Sequence, residues 1–254
     1  YSLYPQYDFA LGFLTRGCPR LNHAQSKGGF CITPDKDGCK TRKTADLSEF
    51  WTGQKTIYLL DQNMLACNER IDLIQQLAAS GAQVDFSGGL DIRYMTDEVI
   101  AEMRKVKVKE WHFAWDDPKE DLLPAFCRVA ASGVTRKGPA SKSKPGVYVL
   151  TNFWSTHAED LHRIYVLRLL GYAPYVMIYD KQKFVDCRGR LKPDVWERYT
   201  PEQIYHFKVC QHLQRWTASR ALFASVPVFD NYERYQNFMI KQWPKMLEQH
   251  QGGK

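Results

Sequence analysis

Short apolar runs recur along the first 180 residues and alternate with longer amphipathic segments. From the second run onward, successive runs begin roughly 30 residues apart, which is the length of a strand, a crossover helix and two loops. This rhythm predicts a series of βαβ units. The six predicted strands are Ala10–Leu14, Thr56–Leu60, Gln83–Phe86, Glu110–Trp115, Val147–Phe153 and Pro174–Tyr179.

The segments between these runs have the sequence features of helices and helix ends. Glu69–Ser80 has apolar residues at helical spacing and is followed by Gly81, a residue favoured just beyond a helix. Thr156 and Glu159 form a capping-box pattern, which predicts a helix from there to Gly171. The other predicted helices begin after Thr96 or span Asp121–Ser132, Thr200–Ser219 and Asn231–Gln249.

Alternating strands and helices favour a parallel sheet, open or closed, and six strands suffice for a partial barrel. The predicted fold class is therefore α/β, a partial (β/α)6 TIM-like barrel with a C-terminal helical extension. The strand rhythm stops beyond Lys181. We expect a barrel domain over residues 1–185 and a helical extension over residues 186–254 that packs on the barrel.

Polar residues follow nearly every predicted strand, and parallel α/β proteins place their binding sites at the carboxyl ends of the strands. Each such residue, taken alone, is equally well explained as a cap or a turn former. Because polar residues recur after several successive strands, the set as a whole favours a binding site. The residues are Asp61 and Asn63, Ser87 and Asp91, Asp116 and Asp117, Asn152, and Asp180.

Three cysteines lie within 22 residues on the polar, glycine-rich segment that follows the first predicted strand. Thiolates on one loop can hold a soft metal or an iron–sulfur cluster, whereas buried structural cysteines are usually found among apolar neighbours. Metal ligation is the favoured interpretation for Cys18 and Cys31. For Cys39, metal ligation and structural packing explain the sequence about equally well. Structural zinc prefers paired spacings that this segment lacks, although His23 lies near Cys18. Cys210 lies in a helical segment and is expected to pack.

Charge and composition narrow the class of protein only slightly. The net charge of +7 is a mild basic bias that is compatible with a nucleic-acid partner, and the lysine-rich loop Val134–Gly146 is either a solvated surface loop or an RNA contact. No apolar run is long enough to predict a membrane span, and no signal peptide is visible. Seven unevenly spaced cysteines fit a reducing compartment, so we expect a cytoplasmic protein without membrane contact.

Several longer motifs resemble the radical SAM superfamily, in particular uncharacterised members from bacteria and their mobile elements. They are, in order, GFLTRGCPR, GGFCITPDKDGCKTRKTADLSEFW, LLDQNMLAC, VDFSGGLDIR, HFAWDD, VYVLTNF and GYAPYVMIYDK. The resemblance extends from about Phe9 to Tyr232. It implies a [4Fe–4S] cluster held by three cysteines, and S-adenosyl-L-methionine (SAM) bound to the fourth iron. The implied activity is cleavage of SAM to a 5′-deoxyadenosyl radical, with an electron from a reductant such as flavodoxin or ferredoxin.

The chain departs from the family pattern CxxxCxxC in the cysteine segment. Cys18 matches the first cysteine and Cys31 the third, but the middle cysteine is missing, and Asn22 stands four residues after Cys18. The segment is also longer by about six residues. The resemblance therefore implies two cluster ligands, with Cys39 or His23 as the third. The alternative is a degenerate radical SAM fold without a working cluster that binds SAM, a nucleotide or a partner protein.

The positions that bind SAM in the family are better kept than the cysteine motif. Carboxylates suit an ammonium group and ribose hydroxyls, an arginine suits a carboxylate, and glycines allow close backbone approach. The resemblance does not indicate a substrate. The implied SAM-binding residues are Asp61, Asn63, Gly88, Gly89, Asp91, Arg93, Asp116 and Asn152.

Overall fold

The structure is a computed structural model that describes residues 6–136 and 144–251. The chain divides into two compact units. The first runs to Ala114 and adds Asp121–Val147 and Leu167–Tyr172. The second comprises Trp115–Glu120, Tyr148–Val166 and the described residues from Ala173 onward. Residues 186–251 therefore lie in the second unit, whereas the predicted boundary between residues 185 and 186 stays a prediction.

The order of elements confirms the predicted α/β class. The strands are β1 Phe9–Gly12, β2 Thr15–Arg16, β3 Arg42–Lys43, β4 Thr56–Leu59, β5 Gln83–Phe86, β6 Lys107–Val108, β7 His112–Ala114, β8 Gly146–Thr151 and β9 Ala173–Ile178. The α-helices are α1 Thr33–Asp37, α2 Arg70–Ser80, α3 Asp97–Met103, α4 Leu123–Ser132, α5 His157–Leu169, α6 Lys181–Phe184, α7 Val195–Arg198, α8 Pro201–Ala218, α9 Arg220–Ser225, α10 Glu233–Asn237 and α11 Trp243–Gln251.

A four-stranded parallel sheet in the order β1-β4-β5-β6 forms the centre of the first unit. Ala10 pairs with Ile57, which pairs in turn with Val84, and all three side chains are fully buried. Because the strands are parallel, the carboxyl ends of β1, β4 and β5 lie at the same edge of the sheet. The short strand β6 was not predicted, since two residues are too few to give a periodic pattern.

The other parallel sheet has three strands in the order β7-β8-β9. In the second unit, α8 packs against β9, and the Gln214 side-chain amide donates to the Val176 carbonyl at 2.8 Å. The apolar side of α8 is fully buried, and it includes Phe207, Leu213 and Trp216. The burial of these large side chains is the main source of stability for the helix.

The predicted helix ends are confirmed where a side chain caps the helix. Thr96 accepts a hydrogen bond from the Val99 N–H, and Thr200 with Gln203 forms a full capping box at the start of α8. Gly81 ends α2 in the left-handed conformation.

The predicted single helix over Asn231–Gln249 is wrong in detail. That segment contains α10, a π-helical turn at Phe238–Gln242 and then α11. Pro244 lies in the first turn of α11 and has no N–H to bond to the preceding turn, and a π turn there tolerates the missing bond. After α6, the described residues contain helices and no strand, as predicted. No helix in the described ranges has the length and apolarity that a membrane span requires.

Candidate functional site

The segment Gly17–Thr41, here called the cysteine loop, is closed at its base by an antiparallel pair of short strands. Thr15 and Arg16 of β2 pair with Lys43 and Arg42 of β3. Gly17 has φ +91°, and a Cβ atom there would lie 2.2 Å from the Lys40 carbonyl oxygen. Glycine is therefore required at this position, because both the backbone conformation and the close approach exclude a side chain.

The loop holds its three cysteines at different depths. The Cys18 side chain is buried, Cys31 is partly buried and Cys39 is exposed. The Cys18 N–H donates to the Gly38 carbonyl at 3.1 Å, and the Cys31 N–H donates to the His23 carbonyl at 2.8 Å. Backbone hydrogen bonds thus fix the main chain at Cys18 and Cys31.

Cys18 belongs to a polar cluster at the carboxyl ends of β1, β4 and β5. The Asn63 Nδ2 group donates to the Cys18 Sγ atom at 3.6 Å and to Asp91 Oδ2 at 2.9 Å. Arg93 donates to the same carboxylate through Nε, at 2.8 Å from Asp91 Oδ1, and through Nη2. Four of the sequence-predicted site residues therefore meet in one cluster.

Asn63 itself leaves a hydrogen-bond acceptor without a partner. Its side chain is 4% exposed, and its Oδ1 atom is buried and accepts no hydrogen bond from the protein. Buried polar atoms in proteins are nearly always paired with protein or ordered water, so Asn63 Oδ1 can accept a hydrogen bond from a water molecule or a ligand.

Asp61 acts within the protein and holds the start of the cysteine loop. Its carboxylate accepts from the Leu14 and Thr15 N–H groups and from the Thr15 hydroxyl, at 2.5 to 3.2 Å. Burial raises the pKa of the Asp61 carboxyl, and these hydrogen bonds oppose the rise. A role for Asp61 in binding SAM stays a prediction. Its observed role is to accept hydrogen bonds from Leu14 and Thr15, which precede the cysteine loop.

Gly88 and Gly89 allow the backbone after β5 to approach its neighbours. A Cβ atom on Gly88 would lie 2.1 Å from the Asp61 carbonyl oxygen, and Gly89 has φ +78°. Gly88 brings the end of β5 close to the backbone at Asp61, and Gly89 adopts a conformation that other residues rarely adopt.

The Cys18 thiol experiences opposing electrostatic influences. Burial raises its pKa most, whereas the Arg20 N–H and the Asn63 amide donate to the sulfur and lower it. The Asp91 carboxylate and the nearby Cys31 thiol add smaller increases. A metal cation would reverse this balance, because it binds the thiolate form.

The three thiols of the loop do not form a site for a single ion as they stand. Among the described residues, no group of three His, Cys, Asp or Glu donors within 4.8 Å of one another includes Cys18, Cys31 or Cys39. A cubane cluster spaces its cysteine sulfurs more widely, at about 6 to 7 Å, so a [4Fe–4S] cluster does not need the three sulfurs to lie this close together. The Nε2 atom of His23 is hydrogen-bonded by the Arg20 guanidinium, so ligation by that atom requires this bond to break.

Two predicted SAM-binding residues, Asp116 and Asn152, belong to the second unit. The Asp116 carbonyl accepts from the Arg163 guanidinium at 2.9 Å. Asn152 has φ +62°, and its side-chain amide donates to the Tyr179 carbonyl at 3.1 Å. Both residues shape the strand ends of the second unit. Of the basic loop Val134–Gly146, residues 137–143 lie outside the described residues.

The second unit gathers a set of donors that the sequence analysis did not single out. Asp160, His206 and Cys210, here called the helix cluster, place one carboxylate oxygen, one ring nitrogen and one sulfur within 4.8 Å of one another. Asp160 is on α5, whereas His206 and Cys210 are four residues apart on α8. The i, i+4 spacing of His206 and Cys210 places both side chains on one face of a helix, and it was the available sequence signal for this site. The third donor, Asp160, is 46 residues away from His206 in sequence, so the spacing does not reveal it.

Arg163 holds the Asp160 carboxylate of the helix cluster in place. Its guanidinium donates to Asp160 Oδ1 at 2.6 Å and to the carbonyl oxygens of Leu150, Trp115 and Asp116 at 2.7 to 2.9 Å. Its Nε also faces a carbonyl within α5, so all five of its N–H donors are used. Burial raises the pKa of the Asp160 carboxyl to about 6, although the Arg163 charge opposes the rise.

An open cavity of about 490 Å³ adjoins the helix cluster in the second unit. It lies beyond the carboxyl ends of β8 and β9, and its wall includes Asn152, Tyr179, Asp180, Glu202 and His206. This is the place where parallel α/β sheets bind ligands.

No family model matches the chain, and no curated protein has significant sequence similarity to it.

Proposed function

We propose that this protein is a radical SAM-type enzyme built on a partial (β/α)6 barrel. The cysteine loop would hold a [4Fe–4S] cluster through Cys18, Cys31 and one further ligand, and SAM would bind at the strand ends. When bound, the cluster supplies the electron that cleaves SAM to a 5′-deoxyadenosyl radical. The motif resemblance suggests this function, and the geometry of the first unit supports it.

The single observation that carries the proposal is the environment of Asn63. One side-chain amide donates both to the Cys18 thiol and to the Asp91 carboxylate, and the amide oxygen is buried without a partner. A ligand with both an ammonium and a carboxylate group suits this place. The ammonium would donate to Asn63 Oδ1, and the Arg93 guanidinium, already fixed by Asp91, would meet the carboxylate.

The residues of the loop fit a cluster at two positions and leave the third open. Cys18 and Cys31 are held by backbone bonds and are close enough for their charges to interact. The Cys39 thiol is exposed, whereas His23 must first give up its hydrogen bond to Arg20 before its Nε2 atom can bind a metal. We therefore favour Cys39 as the third ligand.

Anaerobic reconstitution with iron and sulfide tests the proposal. We expect about four irons per chain, a broad cluster absorbance in the visible region, and 5′-deoxyadenosine on addition of SAM and dithionite. Cys18→Ala and Cys31→Ala should abolish cluster formation, and comparison of Cys39→Ala with His23→Ala identifies the third ligand. Cys187→Ala, at an exposed thiol of the second unit, is the matched control. If the wild-type protein binds no iron, the proposed radical SAM activity is refuted.

A second candidate is a protein that binds SAM or a nucleotide without a cluster. The observation in its favour is that protein hydrogen bonds alone join Asn63 and Arg93 to the Asp91 carboxylate, whereas the middle cysteine of the family motif is missing. Equilibrium dialysis of the iron-free protein with SAM distinguishes the radical SAM enzyme from a protein that binds SAM without a cluster. Binding without iron that Asn63→Ala weakens, together with failure of reconstitution, would establish the binding protein.

A further inference from the structure

We propose that Asp160, His206 and Cys210 form a binding site for a single first-row divalent cation, with zinc as the best match. This inference uses residues of the second unit only and does not depend on the function proposed above. Cysteine sulfur, imidazole nitrogen and a carboxylate oxygen are the three kinds of zinc ligand found in proteins.

The spacing of the donors fits one ion. The Cys210 Sγ atom lies 3.6 Å from His206 Nε2 and 4.0 Å from Asp160 Oδ2. In a tetrahedral site with Zn–S of about 2.3 Å and Zn–N of about 2.0 Å, sulfur and nitrogen ligands lie about 3.5 Å apart. The observed sulfur–nitrogen distance therefore needs almost no adjustment.

The Asp160 carboxylate is oriented as a metal ligand would be. Arg163 binds Oδ1, which leaves Oδ2 directed at the Cys210 thiol. Metal-binding carboxylates are commonly held by a second hydrogen bond of this kind, which fixes their orientation. The thiol is placed to donate its proton toward Oδ2, so a cation would take the place of that proton, which passes to solvent.

The cluster has an opening for a fourth ligand. Asp160 and Cys210 are fully buried, but His206 is only partly buried and lines the 490 Å³ cavity. An ion can enter from this cavity, and water or a small ligand can complete its coordination from there. Three protein ligands with one open position are the pattern of catalytic rather than structural zinc.

Cobalt(II) serves as the probe, because cobalt–thiolate charge transfer is seen in the ultraviolet and tetrahedral cobalt absorbs in the visible. The full chain is freed of metal with a chelator and titrated with cobalt. We expect one equivalent to produce both absorptions, and zinc to displace it. The Cys18→Ala/Cys31→Ala/Cys39→Ala variant should give the same spectrum, which separates this site from the cysteine loop.

Cys210→Ala should remove the charge-transfer band, whereas Cys127→Ala, at an exposed thiol, should not. Because Cys210 is buried, circular dichroism must show that its variant is folded. His206→Gln, at a partly buried position, is the second variant and should weaken cobalt binding at least about tenfold. Absence of the band in the wild type, its persistence in Cys210→Ala, or unchanged affinity in His206→Gln would overturn the site.

Discussion

The cysteine loop and the helix cluster bring together similar donors by opposite means. In the loop, three thiols range from buried to exposed, and main-chain hydrogen bonds and glycines hold the backbone. In the helix cluster, two packed helices hold three donors within 4.8 Å of one another. Among the described residues, the loop thiols belong to no group of three donors close enough for one ion, whereas the two helices hold their donors at a spacing that suits a single ion.

The two regions also differ in the group that anchors each. Asp61 holds the cysteine loop by accepting hydrogen bonds from Leu14 and Thr15, and it is a buried acceptor of backbone donors. Arg163 holds the helix cluster by donating to carbonyl oxygens, and it is a buried donor. Substitutions at the two anchors should therefore separate the regions experimentally.

The largest effect is expected for Arg163→Met. The change removes the ion-pair partner of the buried Asp160 carboxylate and a hydrogen-bond donor from three carbonyl oxygens, which should cost about 3 to 5 kcal/mol of unfolding free energy. Urea denaturation followed by circular dichroism measures this loss. Arg198→Met, which breaks an exposed pair with Asp194, is the control and should cost less than about 1 kcal/mol. Equal losses in the two variants would contradict the role of Arg163.

Asp61→Ala should have a somewhat smaller effect in the first unit. It leaves two buried N–H groups and one hydroxyl without an acceptor, for a loss of about 3 kcal/mol. Asp61→Asn keeps one acceptor oxygen and should lose less. The same urea experiment applies, and reconstitution should fail in the alanine variant while cobalt binding by the helix cluster persists. Loss of both activities together would show that the regions are not independent.

Gly17→Ala tests how strictly the cysteine loop is closed. Its Cβ atom would meet the Lys40 carbonyl at 2.2 Å in a left-handed conformation, so we expect a loss of about 2 kcal/mol and impaired cluster loading. Gly28→Ala is a matched control in the same loop, since it has φ +78° but nothing within 4 Å of the added atom. That control should cost only about 1 kcal/mol. Identical thermal midpoints for the two variants would refute the close contact.

The smallest effect is expected for Thr200→Ala at the start of α8. Loss of the capping box should lower the unfolding free energy by about 1 kcal/mol, and Thr200→Ser should restore most of it. The ligands His206 and Cys210 lie in later turns of the helix, so cobalt affinity should change little. A large fall in cobalt affinity would show that the helix start, rather than packing on β9, holds the cluster.

Local patterns predicted the framework of both regions correctly. The strands at Thr56–Leu59 and Gln83–Phe86 match their predictions closely, because alternating burial leaves a mark in a few consecutive residues. The capping residues Thr96 and Thr200 mark helix starts, because each bonds to an N–H group only three residues later in the chain. The short strands β2 and β3 gave no such mark, since each has two residues and forms only by pairing with the other.

Contacts between side chains that are distant in sequence could be predicted only where a parallel sheet brings strand ends to the same edge. The parallel sheet places Asn63 and Asp91 at one edge, so their contact with each other and with Cys18 follows from the strand order. The structure itself assigns Asp61 to the backbone of the cysteine loop, because nothing in its sequence position distinguishes an anchor from a ligand.

The sequence by itself determined the α/β class, the strands at Thr56–Leu59 and Gln83–Phe86, and the loop that carries Cys18, Cys31 and Cys39. Only the tertiary structure brought Asp160 to His206 and Cys210 and surrounded the Arg163 guanidinium with acceptors from two other segments. Periodicity and capping act over a few residues, so sequence reports them directly. A contact between Asp160 and His206, which are 46 residues apart in sequence, depends on how α5 and α8 pack, and that is decided only when the whole unit has folded.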